Sequence, residues 1–262
     1  MPLVWLDDIR LNAVIQGPAD GLALVLIHAL GLDLTIWDDL VARLPRGLRI
    51  LRFDLRGHGA SDTPAAPYAM GQMVRDAERL IDHFGLSEAV VLGLSIGGLV
   101  AQGLAVKRLD LVRGLILSNT AARIGIESQW QIRIAAVREG GMEAIADATL
   151  DRWFGRRWRD RTDAAAWRAR LLAARPDGWC GAAAAIAGTD FYTTTATLRL
   201  PLLALAGDRD GSTPPDLVRE TAELIPGADF RLIRGAGHLP FVEQPEAFAQ
   251  AVSGFLTRIG HV

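Results

Sequence analysis

Apolar runs of strand length alternate along this chain with stretches of helical period. Residues 9–16, 22–27, 49–54, 89–92, 112–117, 202–206 and 229–233 carry strand patterns. Between the third and fourth runs, Met70, Met73, Val74, Ala77, Leu80, Ile81 and Phe84 recur at helical spacing, and Gly85 stops them. Helices are likewise predicted over 96–107, 214–225 and 245–258. Strand followed by helix, repeated, predicts a mostly parallel sheet covered on both faces. The alternation breaks between 119 and 198, where patterns are helical and no strand is convincing. Five of the seven tryptophans (Trp130, Trp153, Trp158, Trp167 and Trp179) and many arginines fall there. The expected organisation is a core of 1–118 and 199–262, with 119–198 as a helical lid. Its expected place is over the carboxyl edge of the sheet, where ligands bind in open α/β folds.

Composition narrows the chemistry. Half of the 262 residues are hydrophobic, enough to bury a large core. A formal net charge of −2, from 28 basic and 30 acidic residues, argues against a nucleic-acid binder. The single cysteine, Cys180, forms no internal disulfide, and scattered histidines without a cysteine pair give no Cys/His zinc site. The stretch Met1-Pro2-Leu3-Val4-Trp5-Leu6-Asp7-Asp8 lacks the basic and apolar regions of a signal peptide. No apolar run is long enough to cross a bilayer, so the expected location is the cytoplasm, away from membranes.

The sharpest local signal is Gly93-Leu94-Ser95-Ile96-Gly97, a G-x-S-x-G sequence between a short buried strand and a helix. Such a turn holds its serine in a strained conformation and needs small residues two before and two after. A serine nucleophile needs a base, and the base an orienting acid. His238, in Gly235-Ala236-Gly237-His238 after the last strand, is the expected base. His28 reads as support for the loop after its strand, His58 as a turn residue, His83 as helical and His261 as part of the terminal tail. The acid is expected after strand 202–206, where Asp208 and Asp210 compete; Asp210, further out on the loop, has more freedom to face His238. The backbone N–H groups of Ile96 and Leu30 are the expected oxyanion donors.

These motifs together resemble the α/β-hydrolase family from end to end. They are His28-x-x-Gly31, Asp54-x-Arg56-Gly57-His58-Gly59-x-Ser61, the serine turn, Gly207-x-x-Asp210 and Gly237-His238. Within it, Asn119 to Gly125, Trp130-x-x-Arg133 through Met142, and Arg152-Trp153-Phe154 look most like the bacterial 3-oxoadipate enol-lactonases. His28-Ala29-Leu30-Gly31 and Pro240-Phe241 look instead like general esterases. The resemblance implies an eight-stranded sheet flanked by helices, with a lid after the sixth strand. It implies hydrolysis of a small carboxymethyl enol-lactone by water, without metal or organic cofactor. A carboxylate-bearing substrate calls for a cationic anchor. Arg133 shares a helix face with Trp130 and is the expected anchor, with Trp130 and Trp153 as apolar walls. The same fold also serves general carboxylesterases, cofactor-free perhydrolases that pass the acyl group to peroxide, and small-molecule receptors. The sequence leaves the oligomeric state open.

Overall fold

The computed structural model describes residues 3–155 and 158–262. Met1 and Pro2 of the N-terminal stretch, and Arg156 and Arg157 of the helical insertion, lie outside the described residues. Eight strands appear among the described residues: β1 (Leu3–Leu6), β2 (Ile9–Gln16), β3 (Leu22–Ile27), β4 (Leu48–Phe53), β5 (Ala89–Leu94), β6 (Val112–Ser118), β7 (Leu202–Gly207) and β8 (Asp229–Ile233). They form one sheet in the order β1-β2-β4-β3-β5-β6-β7-β8. The two pairs involving β2 are antiparallel, and every later pair is parallel. A central parallel strand has no face toward water, so β5 is apolar and buried at every position. β6 runs one residue beyond its apolar stretch because Ser118 pairs with Leu94 on one side and Leu205 on the other.

β1 has no counterpart among the strands predicted from the sequence. It pairs with β2 from Leu3↔Asn12 to Leu6↔Ile9 across a tight turn at Asp7 (φ 55°). Its burial alternates but its polarity does not: Leu3 and Trp5 face outward, and Trp5 is 65% exposed. His261 lies in the terminal tail, after α11. It is fully buried, and its Nε2 sits 2.9 Å from the Ala23 carbonyl.

The helices are α1 (Asp38–Arg43), α2 (Met70–His83), α3 (Ile96–Lys107), α4 (Glu127–Gly140), α5 (Glu143–Phe154), α6 (Ala164–Leu172), α7 (Pro176–Ala187), α8 (Tyr192–Thr195), α9 (Pro215–Glu223), α10 (Pro240–Glu243) and α11 (Pro245–Arg258). None is long and apolar enough to cross a membrane. α2 turns one apolar side inward, from Met70 to Ile81, with Gln72 and Arg75 in water. α3 is apolar nearly all round, because it lies between the sheet and its neighbouring helices.

The sheet sets where a ligand can sit. From β3 the chain moves outward to β4 and then returns to the other side at β5. The loops after β3 and β5 therefore part in opposite directions and leave a crevice at their carboxyl ends. Helices α4 to α8 follow β6, and Trp130, Trp153 and Trp179 from three of them share a pocket with Ala29 and Leu30 of the loop after β3. The Arg170 guanidinium donates to Thr35 Oγ1 at 2.8 Å, Arg175 donates to the Ser61 carbonyl, and Arg161 meets Glu243 at 3.2 Å.

Candidate active site

Ser95 stands between β5 and α3 with φ 56° and ψ −117°, in the left-handed region that β-carbon residues avoid. Four main-chain hydrogen bonds hold it there. Its N–H donates to the Ser118 carbonyl at 3.1 Å. Its carbonyl accepts from the N–H groups of Gly98 and Leu99 and from Thr120 Oγ1, the last at 2.6 Å. The flanking glycines are steric necessities. A Cβ on Gly93 would lie 2.2 Å from the Gly97 carbonyl oxygen, and one on Gly97 would lie 2.3 Å from that of Ile27. Both obstacles are backbone and cannot swing aside. Gly97→Ala is therefore expected to cost about 1–3 kcal/mol of stability. Thermal unfolding of the variant checks this, and an unchanged Tm would refute it.

Asp210 and His238 come together from the loops after β7 and β8. His238 Nδ1 lies 2.8 Å from Asp210 Oδ2, with both side chains buried. The Asp210 carboxylate is saturated with donors. Oδ1 accepts the N–H groups of Ser212 (2.7 Å) and Thr213 (3.1 Å). Oδ2 also accepts Thr213 Oγ1 (2.7 Å) and Asn119 Nδ2 (2.8 Å). Burial alone would raise this carboxyl, but His238, Asn119 and Thr213 together hold it below the usual carboxylate value. Asp208 does something else: its Oδ1 caps the N–H groups of Gly235 and Ala236, which steadies the histidine loop.

One pocket of about 40 Å³ gathers Ser95, His238, Leu30, Trp130, Arg133 and Trp153. Leu30 lies in the loop after β3, and Ile96 is the first residue of α3. Among the described residues, neither main-chain N–H is taken by a protein acceptor. His28 secures this loop: its Nδ1 bonds to the Ala29 carbonyl at 2.8 Å, and its Nε2 accepts the Leu55 N–H at 2.9 Å. Trp153 lies parallel to the His238 ring, with centroids 6.5 Å apart, and its carbonyl accepts the His238 N–H at 2.7 Å. Arg133 lies 4.7 Å over the Trp130 ring.

The sequence reading did not single out Arg152, Thr149, Trp179 and Ser212, which also line the pocket. It also missed Asn119, whose amide bridges Asp210 and the Gly237 carbonyl (3.2 Å). Asn119 and Arg152 do fall in the stretches that resemble the enol-lactonases, the one signal that could have marked them.

Residues 24–251 match the model of the alpha/beta hydrolase family. The chain is 32% identical over 254 residues to 3-oxoadipate enol-lactonase 2 of Acinetobacter baylyi, spanning 96% of this chain and 95% of that protein. Its structure is similar to the enol-lactonase from Burkholderia xenovorans LB400, with a TM-score of 0.93, 34% identity and coverage of 98% and 100% of the two chains. A malate-bound thermophilic esterase from Thermogutta terrifontis gives a TM-score of 0.89 at 33% identity, over 97% of this chain and 95% of the other.

Proposed function

The chain belongs to the alpha/beta hydrolase family, and we propose that it hydrolyses a small carboxylate-bearing enol-lactone, 3-oxoadipate enol-lactone, through an acyl-enzyme on Ser95. Ser95 is the nucleophile, His238 the base and Asp210 its orienting acid. The observation that carries this reading is the pairing of Asp210 with His238, which lines one pocket together with Ser95 and Arg133.

In the first step His238 takes the Ser95 proton as the oxygen attacks the lactone carbonyl. The N–H groups of Leu30 and Ile96 receive the developing oxyanion. The ring C–O bond breaks to release an enolate, which then takes up the proton held by His238 and becomes a ketone. That leaving group is good, so it needs little help from an acid. His238, neutral again, takes a proton from the water that attacks the acyl carbon, and returns it to the Ser95 oxygen as the acyl bond breaks. Asp210 keeps Nδ1–H directed at itself, so Nε2 stays free to accept.

Arg133 is the anchor for the substrate carboxylate. It is partly buried, and no carboxylate meets it among the described residues. Burial lowers its pKa, the mark of a cation short of counter-charge. Trp130, Trp153 and Trp179 supply apolar walls. The apolar Ala29 and Leu30 in the oxyanion loop favour a second reading, a general carboxylesterase. The malate-bound esterase of the same fold shows that relatives with that name share this architecture.

Parallel kinetics on the lactone and on a neutral short-chain aryl ester separate the two readings. The lactonase reading expects a far higher kcat/KM for the lactone. Good ester turnover with negligible lactone turnover would leave a general esterase. Arg133→Met should raise KM for the lactone about ten- to hundred-fold, the worth of a lost charge-assisted hydrogen bond. The ester KM should stay within about two-fold, because its acyl chain carries no charge for the guanidinium to hold. Equal effects on both substrates would remove Arg133 as the anchor.

A further inference from the structure

The helical insertion is rich in arginine, and among the described residues Arg123, Arg159, Arg161, Arg168 and Arg170 each meet a carboxylate. Among the described residues, the partly buried lid arginines are Arg133, Arg152, Arg161, Arg168 and Arg170. Arg161 pairs with Asp163 and Glu243, Arg168 with Glu143 and Asp147, and Arg170 with Asp33. Arg133 and Arg152 stand apart, since neither has a carboxylate within ion-pair distance among the described residues. Both line the pocket of Ser95 and His238. Arg152 donates to one neutral partner, Thr149 Oγ1, at 2.9 Å.

These two cations also disfavour each other. Burial, and after it the charge of Arg133, pushes Arg152 down to about 10. Two neighbouring, partly buried guanidinium groups are unfavourable unless something supplies negative charge, and the attraction of Asp151 is the smallest of the effects on Arg152. The fold nevertheless fixes Arg152 in place. Its carbonyl accepts the Gly211 N–H at 3.0 Å and the next carbonyl, of Trp153, accepts the His238 N–H. The end of α5 is thus tied to the acid loop and the base loop at once, and its arginine is held at the pocket.

We infer that Arg133 and Arg152 form a two-cation cradle that makes this pocket selective for organic dicarboxylates over monocarboxylates of the same length. The inference rests on the hydrolytic reading and extends it to the product side. A carboxylate-bearing lactone enters with one negative charge. Water adds its oxygen to the acyl carbon, the ring C–O bond breaks, the enol becomes a ketone, and one proton leaves to solvent. The product is a dicarboxylate with two negative charges, which equals the cationic charge of the cradle. Arg152 is the specificity-determining residue for the second carboxylate.

Calorimetric titration of the full chain with adipate and with 6-hydroxyhexanoate tests this directly. The two ligands have similar length, differ by one charge, and hold no bond that a hydrolase cleaves. Adipate is expected to bind about ten- to hundred-fold more tightly. Arg152→Met should bring the two dissociation constants together while still binding 6-hydroxyhexanoate, which also shows that the variant is folded. Arg152→Lys should restore part of the difference, since the charge returns without the fork. Equal affinities in the unaltered protein would overturn the inference without any variant. So would an unchanged preference for adipate in Arg152→Met, or the loss of both ligands by a folded Arg152→Met. Dicarboxylate selectivity without lactone turnover would instead remove the lactonase reading and leave the cradle standing.

Discussion

Replacing Ser95 by alanine is expected to lower kcat for lactone and ester alike by about ten thousand- to a million-fold, the loss seen when a nucleophile is removed from a hydrolase triad. The Tm should stay within a few degrees. Stability is spared because the scaffold grips the main chain of residue 95 and not its hydroxyl. The N–H to Ser118 and the carbonyl to Gly98, Leu99 and Thr120 all survive in alanine. Alanine also keeps the Cβ, so the strained backbone at φ 56° gains no new clash. Among the described residues, no protein hydrogen bond ties down the Ser95 Oγ, which leaves it available for attack. A folded Ser95→Ala that kept turnover within ten-fold of the original would remove Ser95 as the nucleophile.

What could be read in advance was what local sterics decide. The serine turn demands glycine at 93 and 97 because backbone lies within 2.3 Å of any added Cβ, so the requirement is written within five residues. β5 and β3 are continuous apolar runs because both faces of the sheet are covered. β1 lacked such a signal: all four of its residues are apolar although two face outward, so no polar alternation marked it. The arginines of the helical insertion were opaque for another reason. Some of their partners lie far along the chain, although Arg161 also has Asp163 close by. Arg161 meets Glu243 across 82 positions, and Arg170 meets Asp33, in the loop after β3. Nothing near Arg152 in sequence tells that it lacks such a partner. Asn119 is likewise explained by Asp210, 91 residues away. The preference for Asp210 over Asp208 came from the geometry of a loop leaving a strand, and the structure sets Asp210 against His238.

The exchange Asp210→Asn should be nearly as damaging as loss of the nucleophile, though it changes one atom. The amide must place its oxygen and its NH2 group where Asp210 has two acceptors. At Oδ1 the donors are the main-chain N–H groups of Ser212 and Thr213, which cannot reverse direction. The amide oxygen therefore stays there, and the NH2 group falls at Oδ2. It now faces Asn119 Nδ2, Thr213 Oγ1 and His238 Nδ1. The threonine hydroxyl can rotate to accept, but the Asn119 amide is held by the Ser118 hydroxyl on one side and the Gly237 carbonyl on the other. His238 relieves the conflict by moving its proton from Nδ1 to Nε2. That tautomer presents a donor to Ser95 where an acceptor is required, so the first proton transfer fails. By analogy with the same exchange in serine proteases, kcat should fall about ten thousand-fold. Asp208→Asn is the internal control. Its oxygen can still cap Gly235 and Ala236, so turnover should remain within about ten-fold, the loss of a charge-assisted cap being modest. A large loss in Asp208→Asn with a small one in Asp210→Asn would reverse the assignment. Heteronuclear NMR of the His238 ring supplies the second readout: the proton should reside on Nδ1 in the unaltered protein and on Nε2 in Asp210→Asn.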